Sequence, residues 1–80
     1  MSNTNMKSVS RKNKLPECLK LLRSERGLTQ QQVACGLNLN SVTYLRYEKG
    51  QREPSIDMLI AMATFFDVSV DYLIGFSDFY

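Results

Sequence analysis

The chain has 80 residues, of which 44% are hydrophobic, and it carries ten Lys and Arg against eight Asp and Glu, for a net charge of +2. This length supports one small domain and leaves little room for an enclosed substrate cavity. The sequence has no histidine, no set of metal ligands and no nucleophile beside a base, so it predicts neither an enzyme nor a bound metal or other cofactor.

The charge is distributed unevenly along the chain. Residues 1–14 carry +4, residues 15–53 carry +2 and residues 54–80 carry −4. A basic front and an acidic back orient a molecule toward a polyanion, although a solvated tail with ordinary surface charge explains the same pattern. Because residues 1–14 are too polar and aperiodic to pack, we predict a flexible basic N-terminal arm there, a folded domain over residues 15–76 and an aromatic tail at 77–80.

The cysteines and the hydropathy pattern indicate the cellular compartment. Cys18 and Cys35 lack the spacing of a zinc or redox motif and fall within apolar helical patterns, so we expect both to be small buried thiols. A membrane-spanning helix needs an apolar run of about 18 residues, and no apolar run here is that long. The N-terminus lacks the apolar segment of a secretion signal. We therefore expect a cytoplasmic protein that does not contact a membrane.

The first two predicted helices have recognisable start and stop residues. Pro16 suits the first turn of a helix over residues 16–26, which Gly27 ends. The apolar face of this helix consists of Leu15, Cys18, Leu19 and Leu22. Thr29 and Gln32 have the spacing of a capping box, so a second helix begins at residue 30, and Asn38 ends it because Asn tolerates a positive φ. The apolar positions of the second helix are Val33, Ala34 and Leu37.

Three more helices follow in the same way. Asn40 caps a third helix over residues 41–49, which ends at Gly50. Ser55 caps a fourth helix, and Ser69 caps a short fifth helix that Gly75 closes. In the fourth helix, the spacing i, i+3, i+4, i+7 predicts a buried face that consists of Ile56, Leu59, Ile60 and Ala63. The fifth helix is predicted to contain Val70, Leu73 and Ile74. Because no segment shows sustained strand alternation, we predict a compact all-α fold.

The third helix has two different sides. With about 100° per residue, Tyr44 and Tyr47 point to one side of the helix. The opposite side carries Ser41, Val42, Leu45, Arg46 and Lys49. In the major groove of DNA, a small apolar side chain packs on a thymine methyl group and Arg bonds guanine O6 and N7. A soluble helix that exposes two stray apolar residues explains the same pattern.

Two stretches carry a resemblance to a known family. "GLTQQQVACGLNLNSVTYLRYEKGQREPS" and the later "FFDVSVDYLIG" resemble the Cro and phage-repressor type of helix-turn-helix protein, the Xre family, over about residues 15–76. The matching features are the Thr29-Gln30 start, Ala34, the turn at Asn38, Glu48-x-Gly50, Pro54-Ser55 and Val68-Ser69-x-x-x-Leu73. The resemblance implies a five-helix, lambda-repressor-like bundle that binds double-stranded DNA, with helices 2 and 3 as the helix-turn-helix.

The resemblance also implies roles for individual residues. The base-reading positions are Ser41, Val42, Thr43, Leu45 and Arg46. The positions that contact DNA phosphates are Gln30, Asn40, Lys49, Gln51 and Arg52, and Gln30 also steadies a neighbouring base-reading side chain. Arg23 and Glu48 match a structural ion pair between helix 1 and helix 3.

The sequence departs from the family pattern at two places. Asn38 takes the turn position where Gly is usual, and Gly36 precedes it by two residues, so we expect the end of helix 2 to be looser than in relatives. Val42 and Leu45 stand where Gln or Ser is common, which leaves Arg46 and the short hydroxyl groups to read bases by hydrogen bonds.

Two functional hypotheses follow. The first is a transcriptional regulator, with a repressor favoured, that binds a palindromic operator as a homodimer with the reading helices about 34 Å apart. The aromatic tail residues Phe76, Phe79 and Tyr80 either form the two-fold contact or pack on their own core. The alternative is a protein-binding module, such as an antitoxin or antirepressor, in which Val42 and Leu45 contact another protein. We expect a cytoplasmic, nucleoid-associated protein of bacterial or phage origin.

Overall fold

The computed structural model describes residues 14–75, which form five helices. The helices are α1 Leu15–Glu25, α2 Gln30–Gly36, α3 Ser41–Glu48, α4 Ile56–Phe66 and α5 Val70–Leu73. This range contains no strand, so the predicted all-α fold is confirmed. The predicted arm, apart from Lys14, and the predicted tail at residues 77–80 lie outside the described residues. No helix within the described range has the length and apolar character needed to cross a membrane.

The helices α2 to α5 begin with the same side-chain hydrogen bond. In each case the capping side chain accepts from the backbone N–H three residues further on, and the capping residues are Thr29, Asn40, Ser55 and Ser69. At Thr29 the capping box is complete, because the Thr29 N–H donates to Gln32 Oε1 at 2.8 Å. A cap of this kind stabilises a helix by about 1 kcal/mol. The four predicted caps are confirmed, and they fix where the short helices start.

The helices α1 to α4 also end in the same way. A residue with positive φ follows each helix, and these residues are Gly27, Asn38, Gly50 and Asp67. The next backbone N–H then donates to the carbonyl oxygen five residues back, as in a Schellman motif. After α2 this bond joins Leu39 N–H to Ala34 O at 2.8 Å, and Asn38 has a φ of 61°. The looser end expected for α2 is therefore wrong, because Asn38 closes the helix as a glycine would.

One apolar core joins all five helices. Its buried members are Leu15, Leu19, Leu22, Val33, Ala34, Leu37, Tyr44, Tyr47, Met62, Ala63, Phe66 and Leu73. The predicted apolar faces of α1 and α2 are confirmed, because their members are buried apart from Cys18, which is partly buried. Cys35 is exposed, contrary to the expected buried thiol. The reason is that Val33, Ala34 and Leu37 occupy the core side of α2 and turn Cys35 away from it.

The buried face predicted for α4 is wrong in half of its members. Ile56 and Ile60 are 74% and 53% exposed, whereas Met62 and Phe66 are fully buried. Ala63 is buried and Leu59 is partly buried, as expected. Apolar residues occur on every side of this helix, so their periodicity does not identify one face, and the packing against the other helices decides which side is covered.

Gly36 allows α4 to approach the last turn of α2. A Cβ atom at Gly36 would overlap the ring of Phe65, with the Cδ1 and Cζ atoms of that ring each 3.0 Å away. The Phe65 ring also meets Phe66 edge to face, with 5.0 Å between the ring centroids. Gly36 is therefore required by the close approach of an aromatic ring, although its own backbone is helical.

The two ends of the described range lie side by side. The Lys14 N–H donates to Ile74 O at 3.1 Å, which joins the start of α1 to the end of α5. Gly75 has a φ of 83°, and a Cβ atom there would lie 2.8 Å from Lys14 Cγ. The chain therefore enters and leaves the bundle at one place.

We expect Gly36→Ala to lower the free energy of unfolding by about 1–3 kcal/mol because the new methyl group clashes with Phe65. Inside a helix, Ala is usually more stable than Gly by about 0.5–1 kcal/mol, and the clash outweighs this gain. Urea unfolding measures the change. Combining Gly36→Ala with Phe65→Leu removes the ring and should make the alanine much less costly. A single variant more stable than the wild-type protein would contradict the close approach.

Candidate nucleic-acid interface

The two sides of α3 differ sharply in burial. Tyr44 and Tyr47 are 0% and 5% exposed and anchor the helix on the core. On the opposite side Val42 is 58% exposed, and Ser41 and Arg46 are exposed as well. Thr43 and Leu45 are partly buried at the edges of this outward surface. The structure therefore brings the five sequence-predicted base-reading positions onto the side of α3 that faces away from the core or onto its margins.

The residues predicted to contact phosphates lie around the two ends of α3. Lys49, Gln51 and Arg52 are exposed and follow the helix, while Asn40 precedes it. Asn40 Oδ1 accepts from Thr43 N–H at 2.8 Å, so the carboxamide oxygen caps α3. The amide nitrogen of the Asn40 side chain is a donor that this cap does not use.

The Glu48 carboxylate connects three helices beneath this surface. Glu48 is 1% exposed, and Oε2 accepts from Arg23 Nε at 2.6 Å while Oε1 accepts from Arg23 Nη2 at 3.2 Å. Gln30 Nε2 donates to the same Oε1 at 3.1 Å. Arg23 Nη1 donates to Leu28 O at 3.0 Å, which fixes the guanidinium on the loop before α2. Helices α1, α2 and α3 are thus held at one buried charge.

The pKa values of this cluster follow from burial and from the ion pair. Burial alone would raise the pKa of Glu48, but the hydrogen bonds from Arg23 and Gln30 outweigh it and lower the pKa below the ordinary value for Glu. Burial, followed by the nearby Glu48 carboxylate, raises the pKa of Tyr44. The Tyr44 hydroxyl is itself buried, and no group in the described range is placed to form a hydrogen bond with it. The carboxylate is therefore the charged form around which the cluster is built.

Gln30 has a structural contact that the sequence did not predict. Its place in the first turn of α2 led to a predicted phosphate contact, and Glu48 was predicted to pair with Arg23 alone. The structure has the Arg23–Glu48 pair and adds Gln30 to the same carboxylate, and the phosphate contact of Gln30 stays a prediction. No local spacing relates Gln30 to Glu48, because the helix-turn-helix angle brings them together. The bond to Glu48 uses one of the two amide N–H donors of Gln30.

A model of the helix-turn-helix family matches residues 19–73. This range includes all of α2, α3, α4 and α5 and most of α1. The chain belongs to the helix-turn-helix family. The resemblance to the Xre family that the sequence indicated is therefore confirmed. This helix-turn-helix domain spans about half the length of the curated relatives it matches.

Among these relatives, the uncharacterized transcriptional regulator YobD of Bacillus subtilis is 37% identical over 75% of this chain and 54% of its own length. The cryptic phage CTXphi transcriptional repressor RstR of Vibrio cholerae is 39% identical over 71% of this chain and 51% of its own.

Two solved structures share the fold of the helix-turn-helix domain. A transcriptional regulator from Listeria innocua has a TM-score of 0.77 and 36% identity, over 84% of this chain and 63% of its own. The P22 c2 repressor, solved in complex with synthetic operator 9T, has a TM-score of 0.73 and 21% identity, over 79% of this chain and 96% of its own.

We expect acid to destabilise the wild-type domain partly through Glu48. Because folding lowers the pKa of Glu48, the ion pair contributes its full stability above the ordinary Glu pKa of about 4.3 and loses it as the pH falls through the lower pKa of the folded state. Denaturant unfolding from about pH 6 to about pH 3 spans the titration of carboxylates. It measures how steeply the free energy of unfolding falls with pH.

Glu48→Gln is the matched control for this measurement, because the amide keeps the size of the side chain and cannot titrate. It should lower the free energy of unfolding near neutral pH by about 1.5–3 kcal/mol, the usual worth of a hydrogen bond to a charged group. Its acid dependence should be shallower than that of the wild-type protein. Equal slopes in both proteins would show that Glu48 is not the titrating group.

Proposed function

We propose that this chain is a sequence-specific DNA-binding transcriptional regulator that inserts α3 into the major groove. The observation that carries the proposal is the orientation of α3, whose tyrosines are buried while Val42 and Arg46 point outward. The Glu48 cluster holds α3 against α1 and α2, so the outward surface is presented in one fixed orientation. A recognition helix needs this rigidity, because base contacts require accurate placement.

Arg46 is the principal base-reading residue in this proposal. Its guanidinium can make two hydrogen bonds to guanine O6 and N7, a contact worth about 1–3 kcal/mol of discrimination. Val42 packs on a thymine methyl group, Ser41 and Thr43 offer hydroxyl groups, and Leu45 covers the edge of the contact.

The proposed phosphate contacts surround the reading helix. Lys49, Gln51 and Arg52 lie on the connection after α3, where the chain leaves the core. Gln30 and Asn40 lie at the starts of α2 and α3, and each keeps an amide N–H donor besides the bonds described above. Contacts of this type set the position of the protein on the duplex and carry no sequence information themselves.

The names and structures of the relatives support the same function. They include transcriptional regulators and a phage repressor, and the P22 c2 repressor was solved with an operator. We propose a repressor that binds a palindromic operator as a homodimer in the cytoplasm of a bacterial cell, with its two α3 helices about 34 Å apart. The proposal includes no catalytic step.

A protein-binding module is the second candidate function. The exposed Val42 would serve a protein contact as well as a thymine contact. In that case α3 contacts an apolar surface, and the positive charge of Arg46 is not essential. Variants of Arg46 therefore distinguish the two functions.

We expect Arg46→Ala to weaken binding to a cognate duplex by about 5- to 150-fold, which corresponds to the loss of one bidentate base contact. Selection from random duplexes first supplies the cognate sequence, and fluorescence anisotropy then measures both cognate and scrambled duplexes. Arg46→Lys is the matched control: it keeps the charge and loses the planar fork, so it should lose discrimination while retaining most non-specific affinity. Unchanged cognate affinity in Arg46→Ala would favour the protein-binding module.

The salt dependence of binding provides a separate test of the phosphate contacts. Each such contact contributes about −0.9 to the slope of log K against log salt concentration. We expect Lys49→Ala to make the slope shallower by about one contact. Lys20→Ala, which removes the same charge from α1, should change the slope less. A flat salt response in the wild-type protein would contradict DNA binding altogether.

A further inference from the structure

A groove of about 870 Å³ lies between the start of α1 and the connection that follows α3. We name it the Tyr47 groove. Its apolar surface consists of four partly exposed side chains, which are Pro16, Pro54, Leu59 and Ile74. They come from α1, the α3–α4 connection, α4 and the end of α5, so only the folded bundle has this groove. Its volume lies within the about 300–1,000 Å³ of sites that hold small molecules.

More positive than negative side chains surround the Tyr47 groove. The exposed charged residues along it are Lys14, Lys20, Lys49, Arg52, Glu17 and Glu53. Glu48 also contributes to the lining, but its carboxylate is bound by Arg23 and Gln30. The excess of positive charge favours an anion, and the apolar surface favours a hydrophobic group attached to that anion.

Tyr47 adds a hydrogen-bond donor to this surface. The residue is 5% exposed and belongs to the core, and it also lines the groove. Within residues 14–75 no group forms a hydrogen bond with the Tyr47 hydroxyl, and this hydroxyl is not fully buried, unlike that of Tyr44. Because the ring is already held by the core, its hydroxyl loses little conformational entropy when it binds an acceptor.

We propose that the Tyr47 groove binds a small aromatic carboxylate. The aromatic ring packs on Pro16, Leu59 and Ile74, and the Tyr47 hydroxyl donates to the carboxylate beside the basic side chains. Pro16 and Pro54 contribute rigid rings, and proline packs favourably on aromatic rings in peptide recognition. The groove thus offers an apolar surface, a donor and positive charge to one ligand.

The bound carboxylate acts as an effector of DNA binding, a step that rests on the proposed function. Lys49 and Arg52 border the Tyr47 groove and are also two of the proposed phosphate contacts. A carboxylate beside them competes with DNA phosphates for the same positive charges. By linkage, each ligand then lowers the affinity for the other. The effector therefore releases DNA from the same domain that binds it.

Methyl signals of the 80-residue chain, titrated with 2-naphthoate in the absence of DNA, test the binding site. We expect saturable shifts at Leu59 and Ile74. Ile56 and Ile60 are exposed outside the groove and should not shift. The uncharged 2-naphthamide keeps the ring system and should bind more weakly. Equal binding of the amide, equal shifts at all four residues or no saturable shift would overturn the proposal.

Variants test the two polar features of the groove. Tyr47→Phe keeps the buried ring and removes the hydroxyl, so it should weaken 2-naphthoate binding by about 3- to 10-fold, the usual effect of one hydrogen bond. Lys20→Gln should weaken it by about two- to fivefold, the usual effect of one exposed charge. Arg46→Gln removes a positive charge outside the groove and should leave this binding unchanged. Unchanged affinity in both groove variants would overturn the proposal.

An acidic peptide is the competing occupant of a basic groove. Hexaglutamate, titrated in the same way, carries negative charge and no ring. We expect it to bind more weakly than 2-naphthoate because it cannot cover the apolar surface. Tighter binding of hexaglutamate would show that the groove recognises acidic chains by charge, and would overturn the proposed ligand class.

Affinity for DNA tests the competition separately. Sodium 2-naphthoate near saturation should weaken binding to a non-specific duplex by about two- to fivefold. Sodium acetate at the same concentration adds the same charge without the ring and should have little effect. Equal effects of the two salts would overturn the effector role. If the protein does not bind DNA at all, the proposed function fails and the effector role with it, and the methyl shifts still decide whether the groove binds the carboxylate.

Discussion

The orientation of the reading helix depends on one buried charge. Glu48 belongs to α3, and its carboxylate receives hydrogen bonds from Arg23 on α1 and Gln30 on α2. A carboxylate that is 1% exposed is tolerated only when its partners replace the lost water, so rotating α3 away from these donors is strongly unfavourable. The ion pair and the Gln30 hydrogen bond thereby hold the three helices together at one buried group.

Short helices make this constraint necessary. A helix of eight residues such as α3 is not stable by itself in water, so its existence depends on capping and on tertiary contacts. The Asn40 side chain accepts a hydrogen bond from an N–H of the first turn, and the N–H after Gly50 donates to a carbonyl oxygen of the last turn. Tyr44 and Tyr47 supply the apolar contact with the core. All of these contacts lie on the core side of α3 or at its ends. Residues on its outward side can therefore be substituted with little effect on folding.

The sequence predicted those features that depend on neighbouring residues. The caps at Thr29 and Asn40 and the two sides of α3 follow from local spacing, and the structure has them. The buried face of α4 did not follow, because a helix that is apolar all round has no periodicity that distinguishes Ile60 from Phe66. The hydrogen bond between Gln30 and Glu48 could not be predicted from the sequence either, since it depends on the angle between two helices. The role of each exposed residue on α3 stays a prediction.

The bond between Lys14 and Ile74 joins the beginning of the bundle to its end, and α5 adds the fully buried Leu73 to the same core. A ribosome releases these elements in order, from α1 to α5. Part of the apolar side of α1 must therefore stay uncovered until almost the whole domain has left the exit tunnel, so the domain closes late in its own synthesis. During that interval the nascent chain exposes apolar surface, which makes it more prone to aggregate than the finished domain.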